Sequence, residues 1–180
     1  MTSHILIAIV GLPASGKSTA IESVKYVGPI VTMGDVIREE IMMRKLDPTP
    51  ENIGKIAQML REESGDDVIA LRVIEKIKLL PNPIILIDGI RSIVEVDRFR
   101  EYGTLYVIAI TCPNAVRFER IQRRGRSDDT TQVSQIRARD QRELSFGLGI
   151  VIENADYVIV NDSTLESLQV KVRNLVKGLI

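Results

Sequence analysis

Gly11-Leu12-Pro13-Ala14-Ser15-Gly16-Lys17-Ser18-Thr19 decides how the rest of the chain is read. It fits G-x-x-x-x-G-K-[ST], follows an apolar run at 5–10 and opens a stretch of helical spacing at 18–27, which is the context the pattern requires. Glycines are needed because such a loop must wrap closely enough for its backbone N–H groups to face phosphate oxygens. A helix beginning near Lys17 adds its positive end. Gly11, Pro13, Ala14, Ser15, Gly16, Lys17, Ser18 and Thr19 are therefore expected to cradle the phosphates of ATP. Lys17 supplies a point charge between the β- and γ-phosphates, and Ser18 a hydroxyl for Mg²⁺. The bland alternative is a Gly/Pro turn between a strand and a helix. The flanking strand and helix favour the phosphate cradle.

Outward from this loop, apolar runs at 5–10, 29–33, 84–88, 105–111 and 156–161 read as five strands. Most are rich in Ile and Val on both alternating faces, which suits a parallel sheet covered by helices on each side. Helical spacing occupies 18–27, 35–45, 51–63, 66–80, 93–102, 115–124, 132–144 and 165–179. This alternation predicts an α/β fold, the three-layer α/β/α sandwich of P-loop NTPases around a five-stranded parallel sheet. Segment 35–83 is too long for a simple crossover and predicts a small helical insertion over the carboxyl edge of the sheet, where ligands bind in such folds. Asp47-Pro48-Thr49-Pro50 breaks the helices inside it, and Pro81-Asn82-Pro83 ends it. The expectation is one domain over 1–180, without repeats or low-complexity tracts.

Composition narrows the partners. Of 180 residues, 44% are hydrophobic and 27% charged, the profile of a globular protein. Lys plus Arg and Asp plus Glu both number 24, so no global field draws in nucleic acid or membrane, and any affinity for anions is local. Aromatic content of 4% and the lack of Trp disfavour a module that stacks single-stranded bases. The run at 5–10 is too short for a membrane span and lacks the basic segment and cleavage site of a signal peptide. A lone Cys112 fits a reducing compartment. A cytoplasmic enzyme without nucleic-acid or membrane partners is expected.

Asp88 closes the apolar run at 84–88. Alone, an Asp before Gly is a turn residue; with a phosphate loop upstream it is the expected Mg²⁺ ligand, direct or through water.

Several segments then resemble a known family. Thr32-Met33-Gly34-Asp35-Val36-Ile37-Arg38 is similar to the segment of adenylate kinases that receives the nucleoside monophosphate. Asp88-Gly89-Ile90-Arg91 resembles their D-G-F-P-R, shortened by one residue. Arg126-Ser127-Asp128-Asp129 with Arg137, and Arg120 with Arg123, resemble the arginines of their lid. The whole looks like an archaeal family related to adenylate kinase. The resemblance implies that Thr32, Gly34, Asp35, Arg38, Gly89, Arg91 and Glu95 bind the acceptor. It further implies that Arg120, Arg126 and Arg137 act catalytically with Lys17, from a short arginine-rich lid over 120–139. Guanidinium forks suit that work, since they grip phosphate oxygens in pairs and stay charged. Arg117, Arg120 and Arg124 share one helical face, and which of Arg123 and Arg124 points inward stays open. Asp128 and Asp129 are read as capping the following helix and pairing with the lid arginines rather than touching substrate. Glu95 falls where adenylate kinases carry a base-reading Gln. It is either an altered reader, able to accept but not donate, or an exposed helix residue.

A second resemblance competes. Ala155-Asp156-Tyr157-Val158-Ile159-Val160-Asn161-Asp162 is similar to a segment of dephospho-coenzyme A kinases, which phosphorylate a hydroxyl. A monophosphate attacks without a base because its second pKa lies near 6, whereas a hydroxyl needs a carboxylate to take its proton. Asp35 is thus either that base or a cap on its helix. Arg38 and Arg91 favour a phosphate-bearing acceptor, with AMP as the leading expectation. A nucleotide-sensing ATPase with a regulatory monophosphate site is the alternative from another class.

Overall fold

The computed structural model describes residues 4–124 and 132–180. Its strands are β1 (Ile5–Val10), β2 (Ile30–Thr32), β3 (Ile84–Asp88), β4 (Thr104–Thr111) and β5 (Tyr157–Val160). They form one sheet in the order β2-β3-β1-β4-β5, and every pairing is parallel. The expected five-stranded parallel sheet is therefore present. The helices among the described residues are α1 (Lys17–Ser23), α2 (Met33–Met43), α3 (Pro50–Ser64), α4 (Val68–Ile77), α5 (Ile93–Tyr102), α6 (Asn114–Arg124), α7 (Val133–Ser145), α8 (Leu148–Glu153) and α9 (Leu165–Lys177).

β1 shows why this sequence makes a sandwich. Its alternate residues enter two different cores. Leu6, Ala8 and Val10 pack with Val36, Ile41, Leu60, Val73, Phe99 and Val151 from the helices of one face. Ile7 and Ile9 pack with Ala20, Ile21, Leu168, Val172 and Val176 from α1 and α9 on the other. Residues 6–10 are at most 1% exposed, so an unbroken apolar run is the only pattern that satisfies both faces.

Helix starts follow local chemistry. Pro50 sits at the first turn of α3, where Thr49 accepts the N–H of Asn52 at 3.2 Å. Ser92 and Glu95 form a reciprocal capping box on α5, and Thr164 accepts the N–H of Ser167 at 3.2 Å to start α9. Some boundaries differ from expectation. α1 ends at Ser23 rather than at 27, because Val24, Lys25 and Val27 donate to carbonyls three residues back and tighten the chain into turns. α2 begins at Met33, two residues before the expected start, and shortens β2 to three residues. α8 was not expected; its Leu148 and Val151 are only 3% and 1% exposed in the core.

β1 is the strand from which the order departs in both directions, to β3 on one side and β4 on the other. The crevice beyond the carboxyl ends of such strands is where ligands bind in open α/β sheets. The loop after β1, the end of β3 and the helices α2–α4 between β2 and β3 all border it.

Candidate active site

The loop after β1 depends on two glycines. Gly11 has φ +150°, and a Cβ there would lie 2.3 Å from the carbonyl oxygen of Ile110. Gly16 has φ +112°, and its Cβ would lie 2.4 Å from Asn161 Nδ2. Both the dihedral and the space therefore exclude a side chain. The Ser15 N–H donates to the Leu12 carbonyl at 3.1 Å and closes the turn. Lys17 folds back over the loop, donating to the carbonyls of Gly11 (2.7 Å) and Leu12 (3.1 Å).

The Lys17 ammonium is held down to a pKa of about 8 by burial, partly opposed by the nearby carboxylates of Asp88 and Glu143. Asp88 moves the other way: burial raises its pKa, while Lys17 and Arg91 restrain the rise. It ends β3 in register with Ile9 on one side and Thr32 on the other, which brings it beside the loop. A lysine near its titration point meets a partly desolvated carboxylate at the mouth of a glycine cradle. Bound polyphosphate would favour the charged form of Lys17. Affinity for ATP is accordingly expected to fall as pH rises above about 8, approaching about tenfold per pH unit once the free protein's Lys17 loses its proton. Calorimetric titration of ATP across pH 7 to 10 checks this, and a flat profile contradicts it.

One cavity of about 790 Å³ joins these groups to the helical insertion. Gly11, Pro13, Ala14, Gly16, Lys17, Ser18 and Thr19 line one end, Thr32, Gly34, Arg38, Gly89, Arg91 and Glu95 the other, and Asp88 belongs to the same wall. Ser18 and Asp88 together offer one hydroxyl and one carboxylate. That donor set fits Mg²⁺, which keeps waters and takes few protein ligands beside phosphate oxygens.

Ser15 is 1% exposed and its hydroxyl lies buried without a hydrogen-bond partner against Gly11. Three expectations are corrected by placement. Arg137 is exposed and off the cavity, whereas Arg139 lines it. The two arginines flank the inward side of α7, which carries Ile136 and Asp140, from opposite directions, and only the flank of Arg139 borders the cavity. Glu95 is neither a free base reader nor exposed. At 1% exposure its Oε2 accepts the N–H groups of Arg91 and Ser92, and its Oε1 accepts from Arg61. Asp35 does not cap α2; it is an exposed first-turn residue paired to Arg38 at 2.6 Å, outside the cavity lining.

Arg120 and Arg123 line the cavity from α6. Arg126, Asp128 and Asp129 lie outside the described residues, as does the side chain of Arg124.

Two buried polar residues have supporting roles that the sequence did not assign. Arg117, 1% exposed, donates to the Pro13 carbonyl at 2.8 Å, to Asn114 Oδ1 at 2.8 Å and to both carboxylate oxygens of Asp140 at 3.1 and 2.5 Å. It ties α6, α7 and the phosphate loop together. Asn161, 1% exposed, donates from Nδ2 to the Ser15 carbonyl at 2.7 Å and accepts from Arg120 at 3.4 Å. The sequence marked Asn161 only as part of the stretch that resembles dephospho-coenzyme A kinases, with no role attached to it.

Comparison with known proteins agrees with this geometry. The family model described as an AAA domain matches residues 10–137. A UPF0200 protein of Hyperthermus butylicus is 42% identical over 98% of this chain and 95% of its own. A UPF0200/UPF0201 protein of Archaeoglobus fulgidus is 46% identical over 97% of this chain, which spans only 55% of that longer protein. The crystal structure of TT1252 from Thermus thermophilus superposes with a TM-score of 0.68 at 17% identity, covering 99% of both chains. Shikimate kinase from Aquifex aeolicus gives 0.55 at 13% identity over 96% of both. At these identities the two structures speak to fold alone, and the fold is that of a P-loop kinase-like domain. Among the described residues no helix is long and apolar enough to cross a membrane.

Proposed function

We propose, starting from the fact that the chain belongs to the UPF0200 family, that it transfers the γ-phosphoryl group of ATP to a nucleoside monophosphate, with AMP the leading acceptor. The observation that carries this reading is the charge distribution along one cavity. Among the described residues Lys17, Arg38, Arg61, Arg91, Arg120, Arg123 and Arg139 line it, against three carboxylates, Asp88, Glu95 and Glu143. Lys17 lies at the phosphate loop, Arg38 and Arg61 in the helical insertion, Arg91 after β3, and the others on α6 and α7, an array that suits two phosphate-bearing ligands placed end to end.

Phosphoryl transfer requires little covalent work from a protein and depends on alignment and charge neutralisation. Lys17 and the loop N–H groups hold the donor phosphates, while Arg38 and Arg91 hold the acceptor phosphate. An acceptor oxygen attacks the γ-phosphorus in line, the bond to the β–γ bridging oxygen breaks, and ADP leaves. Arg120, Arg126 and Arg139, the last in place of Arg137, neutralise charge on the transferring group. Ser18 and Asp88 would hold Mg²⁺, which would supply positive charge to offset that of the transferring phosphates. A cytoplasmic setting accords with this chemistry.

Offering ATP and Mg²⁺ with AMP, GMP, CMP, UMP or dephospho-coenzyme A, and identifying products by mass, tests the reading. Release of inorganic phosphate without any phosphorylated acceptor would sink it in favour of an ATPase or sensor. A hydroxyl acceptor such as dephospho-coenzyme A needs a base, and Asp35 is engaged by Arg38 instead. Asp35→Asn should therefore change kcat by less than about tenfold. A loss of roughly 10²–10⁴-fold would restore Asp35 as a base and overturn the monophosphate assignment.

A further inference from the structure

The acceptor end of the cavity holds a cation that no motif announces. Arg61 projects from α3 into the cavity wall with its side chain 17% exposed. Its Nη2 donates to Glu95 Oε1 at 3.1 Å and its Nη1 to the Ala57 carbonyl at 3.2 Å. Glu95 also accepts the backbone N–H of Arg91 at 2.9 Å, so one buried carboxylate fixes Arg61 to the loop that carries Arg91. Both guanidiniums approach the Phe146 ring, with their central carbons 5.7 Å (Arg61) and 5.9 Å (Arg91) from its centre.

A helix-to-helix staple alone would not require this arrangement. Glu95 is already engaged by the capping box of α5, and a guanidinium carries five N–H donors, more than Glu95 and Ala57 use. The other two arginines of this wall follow the same pattern, each holding one carboxylate: Arg91 with Glu143 at 3.0 Å and Arg38 with Asp35 at 2.6 Å. Behind Arg61, a smaller hollow of about 250 Å³ is bordered by Glu62 and Asp66, a setting hostile to anions, so an anion meets Arg61 from the main cavity.

We infer that Arg61 is a third ligand for the anionic group of the acceptor, beside Arg38 and Arg91, and that Glu95 is the positioning residue that holds it. The inference rests on the proposed function in placing the acceptor at this end. It commits the acceptor to a phosphate monoester, whose dianion can engage several guanidinium forks at once.

Calorimetric titration of AMP, and separately of inorganic phosphate, tests it in protein whose P-loop is first filled with Mg²⁺ and a non-hydrolysable ATP analogue. Wild-type protein binds at least one of these probes. Arg61→Ala weakens that binding by roughly 10–100-fold, leaves affinity for the analogue unchanged, and regains part of the loss when guanidinium ion is added. A purely structural arginine would lower the melting temperature without any guanidinium-dependent recovery. If Arg61→Ala does not fold, Arg61→Met keeps an aliphatic stem against Phe146 and carries the same expectation. Unaltered binding in a folded variant overturns the inference, as does failure of wild-type protein to bind either probe. Binding that depends on Arg61 in a protein that phosphorylates no acceptor upholds the inference and rejects the kinase reading alone.

Discussion

Asp140→Ala is expected to lower the unfolding free energy by about 3–5 kcal/mol, because it strands a buried cation. Arg117 is 1% exposed and meets both oxygens of Asp140. Its remaining acceptors, the Pro13 carbonyl and Asn114 Oδ1, are neutral dipoles that compensate a charge only in part. For a domain of this size the loss corresponds to a melting temperature lower by roughly 6–20 °C. Asp140→Asn keeps one hydrogen bond and should lose less. Replacing the pair by apolar residues of similar volume should recover much of the deficit, since a buried ion pair offsets its own desolvation poorly. Thermal unfolding followed by circular dichroism decides the order, and an alanine variant as stable as wild type would show the pair to be dispensable. Because Arg117 holds the Pro13 carbonyl, weaker ATP binding should accompany the loss of stability.

Lys17→Ala is expected to reduce phosphoryl transfer by on the order of 10³-fold or more, since it removes a charged donor aimed at phosphate oxygens. The fold should survive. The two carbonyls that Lys17 occupies belong to a loop lining an open cavity, where water can replace the ammonium. The loop's shape rests on Gly11, Gly16 and Asn161, which stay in place. Calorimetry should show ATP affinity lost with the melting temperature nearly unchanged. Transfer within tenfold of wild type would mean that the loop is not the donor site.

The sequence carries the glycine-loop end of the cavity in contiguous residues. A strand, a glycine loop and a lysine-led helix are local structures, and local chemistry specifies them: positive φ at Gly11 and Gly16, and unbroken apolar runs for strands covered on both faces. Asp88 was legible for the same reason, as the polar residue that ends such a run. The two capping threonines and the Ser92–Glu95 box likewise lie within one turn of the helices they start.

Tertiary structure decided the far wall of the cavity and its supports. Arg61 and Glu95 are 34 residues apart, Arg117 and Asp140 are 23 apart, and Asn161 reaches Ser15 across 146 residues. No period or spacing encodes such pairs, because they exist only once separate helices pack on one sheet. The exchange of Arg137 for Arg139 shows the limit most simply. Both are arginines on one helix, on opposite flanks of its buried residues Ile136 and Asp140, and only the packing of α7 on the rest of the molecule turns the Arg139 flank to the cavity.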